Sequence, residues 1–323
     1  MTTDTTLVVT PALATTVTVH ATRVENYIQA SKAPSTQRIY RSDWQQFTTW
    51  CEEHGLTALP AAPATVAAYL AELADYGRRP CTINRKGAAI GFAHKLAGIA
   101  NPTAHPLVEA TAAGIRRQVG VAQHGKAPAC TAEIKAMVAT LPATLRGLRD
   151  RALLLLGFAG AMRRSELVEL DVNDLTRLAE GLRVRIRRGK TDQEREGVVK
   201  GIPLGRHPET CPVRAVQAWL AAAGITAGPI FRKVDRHGRV GTARLTAQSV
   251  ALVVKSAATA AGLDPERFSG HSLRAGLATS AAAAGVAERI IAQQGGWRSE
   301  RMVRRYIREG NLFRENAAGQ VGL

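Results

Sequence analysis

Apolar residues recur at helical spacing along most of this chain, and one segment breaks the rule. Pro34-Ser35 opens a run in which Ile39, Tyr40, Trp44, Phe47 and Trp50 fall at helical spacing and which stops at Gly55. A second run puts Val66, Tyr69, Leu70 and Leu73 on one face before Gly77. A third follows Thr82, a residue suited to an N-cap, with Ile83, Ile90, Ala93 and Leu96 apolar against Asn84, Arg85, Lys86 and Lys95. A fourth runs from Pro106 to about Gln118. The pattern predicts a small helical bundle with basic ridges.

The stretch GVAQHGKAPAC, residues 120–130, mixes Gly, Pro and polar residues without periodicity and reads as a linker. The domain plan is therefore a flexible tail over 1–19, a helical bundle over 20–119, the linker, and a second domain over 131–323. That second domain is again mostly helical, except around residues 172–204. There Leu182, Val184 and Ile186 alternate with Arg183, Arg185 and Arg187, a period of two that belongs to a strand. A partner strand is expected over Gly197 to Leu204 and a third before Gly181. Together they make a small antiparallel sheet whose hairpin tip carries Gly189, Lys190 and Thr191. No internal repeat is apparent.

Charge changes the picture from fold to partner. The chain has 323 residues, 43 Lys+Arg against 26 Asp+Glu, and a net charge of +17. Such a surplus suits a polyanion, and nucleic acid is the first candidate. The rival, a membrane, is excluded as a span because charges interrupt every long apolar run. The start, MTTDTTLVVTPALATTVTVH, lacks the basic region of a signal peptide. Cys51, Cys81, Cys130 and Cys211 stand far apart, which indicates neither a zinc site nor a disulfide framework and points to a reducing cytoplasm. Arginine far outnumbers lysine and the helices are rich in alanine, a composition typical of a GC-rich bacterial or phage genome.

Cutting DNA without a metal requires a nucleophile, cationic donors for the non-bridging phosphate oxygens, and an acid for the leaving oxygen. Arg163 lies in AGAMRRSELVEL, where an apolar helix breaks at Gly160 and restarts at Ser165, and its guanidinium can grip phosphate bidentately. Lys190, at the hairpin tip, can reach a leaving alkoxide. HSLRAG sets His271 and Arg274 three residues apart on one helical face. GGWRSERMVRRYIREG places Trp297 nine residues before Tyr306, amid arginines that would stabilise a phenolate. Taken singly, each has a plain alternative: solvated arginines, a loop lysine, a surface His-Arg pair, a core tryptophan and a helix tyrosine half in the core.

The ordered set resembles the tyrosine recombinase (phage integrase) family: arginine in a Gly-x-x-R-x-S-E-L context, lysine on a hairpin, His-x-x-R, Gly-Trp, then tyrosine. SKAPSTQRIYRSDWQQFTTWC resembles the first long helix of that family's core-binding domain, so the likeness covers nearly the whole chain. The resemblance implies a mainly α protein: a SAM-like helical core-binding bundle and a mostly helical catalytic domain with a small antiparallel sheet, closing as a C-shaped clamp on double-stranded DNA. It implies that Arg163 and Arg274 clamp the scissile phosphate, Lys190 protonates the 5′ oxygen, and His271 assists proton transfer with Tyr306. Tyr306 would form a 3′-phosphotyrosine, Trp297 would bond phosphate or pack behind the nucleophile, and Glu166 would orient the cations. Four protomers would join two sites, with no metal and no nucleotide cofactor, on a bacterial nucleoid. Many members carry histidine at the position of Trp297, and Arg164 is an extra cation beside Arg163. Arg38, Arg41, Arg85 and Lys86 are placed on helices that would grip the duplex through phosphate contacts. Beyond Tyr306, Leu312 and Phe313 are apolar anchors for a tail that in the family docks on a neighbouring protomer.

Three other readings stay open on the sequence. AAAAGVAERIIAQQGGW has the rhythm of a helix-turn-helix, which a non-catalytic DNA-binding regulator would use. A type IB topoisomerase would use similar chemistry without a partner site. A metal-dependent transposase would need an acidic triad, and none stands out.

Overall fold

The computed structural model describes residues 31–121, 125–187, 197–297, 299–310 and 321. The expected N-terminal tail, Lys190 with its hairpin tip, and Leu312 and Phe313 lie outside these residues. The chain divides into two compact units, the division falling between residues 124 and 125.

The first unit is built from α1 (Pro34–Glu53), α2 (Pro63–Asp75), α3 (Pro80–Leu96) and α4 (Pro106–Val119). Each helix begins with proline in its first turn, where the missing N–H would have had no partner. A glycine in the left-handed region stands just past each end. This corrects the expected start of α3. The helix begins at Pro80 with Arg79 in the cap position, so Thr82 is already inside it. Phe47, Val66, Leu70, Ile83, Ile90 and Val108 close the core.

A second correction concerns the basic ridge. Lys86 is buried, only 5% exposed. Its ammonium donates to Gln46 Oε1 at 2.7 Å and lies 3.4 Å from Asp43, itself 2% exposed. A buried carboxylate demands a cation, and the α3 lysine supplies it, so Lys86 is not presented to a duplex. Arg85 also pairs with Asp43, at 3.2 Å, while Arg38 and Arg41 are exposed.

The second unit comprises α5 (Thr131–Ala139), α6 (Leu145–Ala159), α7 (Arg164–Glu169), β1 (Leu175–Arg177), β2 (Gly181–Ile186), β3 (Val198–Pro203), α8 (Pro212–Ala222), β4 (Arg232–Val234), β5 (Val240–Arg244), α9 (Ala247–Ala260), α10 (Ser272–Ala283), α11 (Glu288–Gly295) and α12 (Glu300–Gly310). The sheet runs β1-β2-β3, antiparallel throughout, with Leu182 opposite Ile202 and Val184 opposite Lys200. Leu182, Val184 and Ile186 face the core while Arg183 and Arg185 are exposed, as period-two alternation requires. The hairpin β4-β5 was not expected, because three to five residues rich in charge carry too little alternation to register.

The expected linker is only partly a linker. Ala127 and Ala129 donate their N–H groups to Arg267 O and Ser272 O, at 2.7 and 2.9 Å, and Ala129 is fully buried. A Cβ on Gly276 would sit 1.8 Å from Ala129 O, so glycine is what lets this strap lie against α10. The strap holds α10, which carries Arg274. Among the described residues, no helix is long and apolar enough to cross a membrane.

Candidate active site

Helix α6 ends at Ala159, and the chain turns through Gly160, Ala161 and Met162 before α7 begins. Ala161 takes φ 45°, a conformation alanine rarely adopts, and it is fully buried. Strain of this kind persists only where the surroundings hold it. Here the holder is Arg274 on α10: its Nη1 donates to Ala161 O at 2.7 Å and to Gly295 O at 2.5 Å.

Arg163 leaves the turn at the N-cap of α7 in an extended conformation. Glu166, one turn on and 4% exposed, accepts the Arg163 backbone N–H at 2.9 Å through Oε2 and the Arg163 guanidinium through Oε1. The carboxylate thus caps a helix and aims a cation with the same side chain.

Arg274 is 1% exposed, and its Nη2 is buried with no hydrogen-bond partner among the described residues. Burial, with Arg163 nearby, lowers its pKa to about 10, against the pull of Glu166 and Tyr306. The indole of Trp297 lies over the guanidinium at 4.0 Å. That placement needs the double glycine before it: a Cβ on Gly295 would fall 1.7 Å from the indole, and Gly296 makes a left-handed turn.

His271 caps α10, and its Nε2 lies 2.7 Å from the Tyr306 hydroxyl. Desolvation, followed by Arg274, Arg163 and Arg305, pushes the imidazole below its ordinary pKa and toward the neutral form. A neutral imidazole can accept the phenolic proton. Tyr306 itself is 8% exposed, on α12, packed with Val303, Ile291, Ala275 and Ala278, and its ring is 5.8 Å from that of Trp297.

Arg163, Glu166, His271, Arg274, Trp297 and Tyr306, read from the sequence as one set, are therefore brought together on one unit. Lys190 lies outside the described residues. The segment read as a helix-turn-helix is indeed helix, turn and helix (α10 and α11), but its residues pack against α12 in the cluster that contains Tyr306. Sequence reasoning missed Lys200, on β3. Its ammonium is buried and donates to Gly160 O at 2.7 Å and Gly295 O at 3.4 Å. The signal was available: Lys200 shares the parity of Ile202 and so the core-facing side of the strand.

The model described as the phage integrase family matches residues 131–311. An integrase/recombinase XerD homolog from Selenomonas ruminantium is 41% identical over 304 residues, covering 93% of this chain and 89% of that protein. The recombinase Cre of Escherichia phage P1 is 25% identical over 303 residues, covering 88% of this chain and 86% of that protein. Among solved structures, a lambda integrase dimer bound to a core site has a similar fold, with a TM-score of 0.58 at 16% identity over 88% of this chain and 94% of that one. A XerH site-specific recombinase in its post-cleavage complex has a TM-score of 0.56 at 15% identity over 80% of this chain and 71% of that one.

Proposed function

The chain belongs to the phage integrase family of site-specific recombinases, enzymes that cleave and rejoin DNA, and from that premise we propose that Tyr306 is its nucleophile and that the phosphate sits between Arg163 and Arg274. The observation that carries the reading is the 2.7 Å contact between the Tyr306 hydroxyl and a His271 biased toward its neutral form. Tyr306 Oη attacks phosphorus as its proton passes to His271 Nε2. The bond to the 5′ oxygen breaks, and Lys190 supplies that oxygen with a proton. The product is a 3′-phosphotyrosine, and attack by a 5′ hydroxyl of another strand reverses the step and rejoins the backbone. Arg163 and the unpartnered Nη2 of Arg274 bind the non-bridging oxygens, Glu166 holds Arg163 in place, and Trp297 shields the guanidinium behind the nucleophile. The chemistry asks for no metal or nucleotide.

The partner is double-stranded DNA, gripped by both units. The exposed Arg38 and Arg41, with Arg85, contact phosphates of the duplex, which gives affinity that falls steeply with salt. Exchanging two duplexes breaks four strands, and each protomer has one Tyr306, so four protomers assemble on two sites. The work is done on the bacterial nucleoid.

Recovery of covalently bound DNA tests the reading. The protein is incubated with sheared chromosomal DNA of its source, denatured, and the DNA that stays attached is sequenced and rebuilt as a nicked duplex. Peptide mapping should find the adduct on Tyr306, and Tyr306→Phe should bind the same duplex without forming it. An adduct on another residue, or an equal yield from Tyr306→Phe, overturns the assignment.

A further inference from the structure

Two helix C-termini converge on this site, α6 through Gly160 and α11 through Gly295. Carbonyl ends of helices repel anions, so an unmodified junction of this kind would disfavour a phosphate. Two buried cations answer it. Arg274 takes Ala161 O and Gly295 O, and Lys200 takes Gly160 O and Gly295 O. Among the described residues the Nη2 of Arg274 has no hydrogen-bond partner and is left for the phosphate, whereas Lys200 is 4% exposed and reaches only backbone. Gln294 adds a neutral tie, from its Nε2 to Ala159 O at 2.9 Å and Gly201 O at 3.2 Å.

We propose that Lys200 is a positioning residue of the recombination reaction: its ammonium joins the turn that carries Arg163 to the turn that carries Trp297, and so fixes the spacing of the phosphate clamp relative to Tyr306. The proposal rests on the reading of Tyr306 as nucleophile. A structural lysine whose task is only to hold the fold would be better replaced by an apolar side chain, since burial is unfavourable enough to lower its pKa to about 8, with Glu166 as the partner that restrains the drop. The site keeps the cation where two carbonyl ends meet, next to the arginines it crowds. Lys200 stands opposite Val184 in the β2-β3 ladder, so the sheet is tied to both turns through one side chain.

The test uses full-length protein and the nicked duplex recovered as above. Lys200→Met, Lys200→Gln and Lys200→Arg are compared with the wild type for half-saturation by DNA and for the single-turnover rate of adduct formation. Because Lys200 is buried against backbone, half-saturation should stay within about threefold, while misplaced turns should slow Lys200→Met by about tenfold to a hundredfold. Lys200→Arg should recover part of the rate, with Lys200→Gln between Arg and Met. A folded Lys200→Met that reacts within about threefold of the wild type overturns the proposal, as does a rate loss matched by an equal loss of DNA affinity. Should Lys200→Met fail to fold, the Gln and Arg variants decide: equal rates for the two overturn it. If the wild type forms no adduct, the reading of Tyr306 fails instead, so the two failures are separate.

Discussion

Glu166 offers the sharpest test of how the arginine turn is held. Replacing it with alanine removes the cap on α7, worth about 1 kcal/mol. It also leaves the Arg163 guanidinium, 21% exposed, beside Arg274 and Lys200 with no carboxylate to compensate it. Breaking a buried pair by deleting one partner costs about 3–5 kcal/mol, and the partial exposure of Arg163 places this case at the lower end. Glu166→Gln keeps the volume and one oxygen for the Arg163 N–H but loses the charge, a loss of about 1.5–3 kcal/mol. The expected order of stability is therefore wild type, then Gln, then Ala.

The assay is urea unfolding of the full chain, following the transition of the second unit because two units need not unfold together. The single-turnover adduct rate is measured beside it. Both should fall in the same order, and the rate should fall further, since Arg163 is misaimed as well as destabilised. An unfolding midpoint in Glu166→Ala equal to that of the wild type, or a Gln variant worse than Ala, would refute the reasoning.

Three further outcomes are expected. Gly276→Ala would push a Cβ to 1.8 Å from Ala129 O and must displace the strap or α10, so it should destabilise the second unit by about 1–3 kcal/mol or more; a midpoint unchanged in thermal unfolding rejects this packing. His271 sits below its ordinary pKa of 6.5, so the unfolded chain takes up a proton that the folded site resists; stability is full above that value and is lost as pH falls through and below it. His271→Gln should flatten this slope between neutral and acid pH in urea titrations, and parallel slopes would contradict it. Ala161→Gly relieves a left-handed alanine and should leave stability unchanged or raise it by up to about 1 kcal/mol in urea unfolding; a clear loss would mean that the turn is not strained.

The elements legible in the sequence were those with long, single-period patterns. The four helices of the first unit announce themselves by apolar stripes between Pro and Gly, and β2 by strict alternation of Leu182, Val184 and Ile186 with arginines. What escaped depended on partners far along the chain. Lys86 looked like a surface cation because nothing local says that Asp43, forty-three residues earlier, is buried opposite it. Strand parity puts Lys200 on the core side, but its role escaped because its carbonyl partners lie 40 and 95 residues away. β4-β5 was too short to show a period at all. Arg163, His271, Arg274, Trp297 and Tyr306 were legible only as an ordered set, since each alone has an ordinary structural use.

The same partners set the electrostatics of the site. Arg163, Arg274, Lys200 and His271 converge, and the Glu166 carboxylate pairs with Arg163 and acts on Arg274 and Lys200. Burial first, and the crowding of like charges second, lower the pKa values of Arg274, Lys200 and His271, so the folded site favours an anion beside them. A tetrahedral oxyanion placed against Arg274 Nη2 would oppose all three shifts at once. Sulfate, exchanged for chloride at constant ionic strength, should therefore raise the thermal midpoint of the wild type, by about 1.4 kcal/mol of stability at ten times its dissociation constant. Arg274→Met and Arg163→Met should respond less. An equal response in both variants would mean that sulfate acts on the +17 surface at large rather than in the pocket, and that the unpartnered guanidinium nitrogen is not waiting for phosphate.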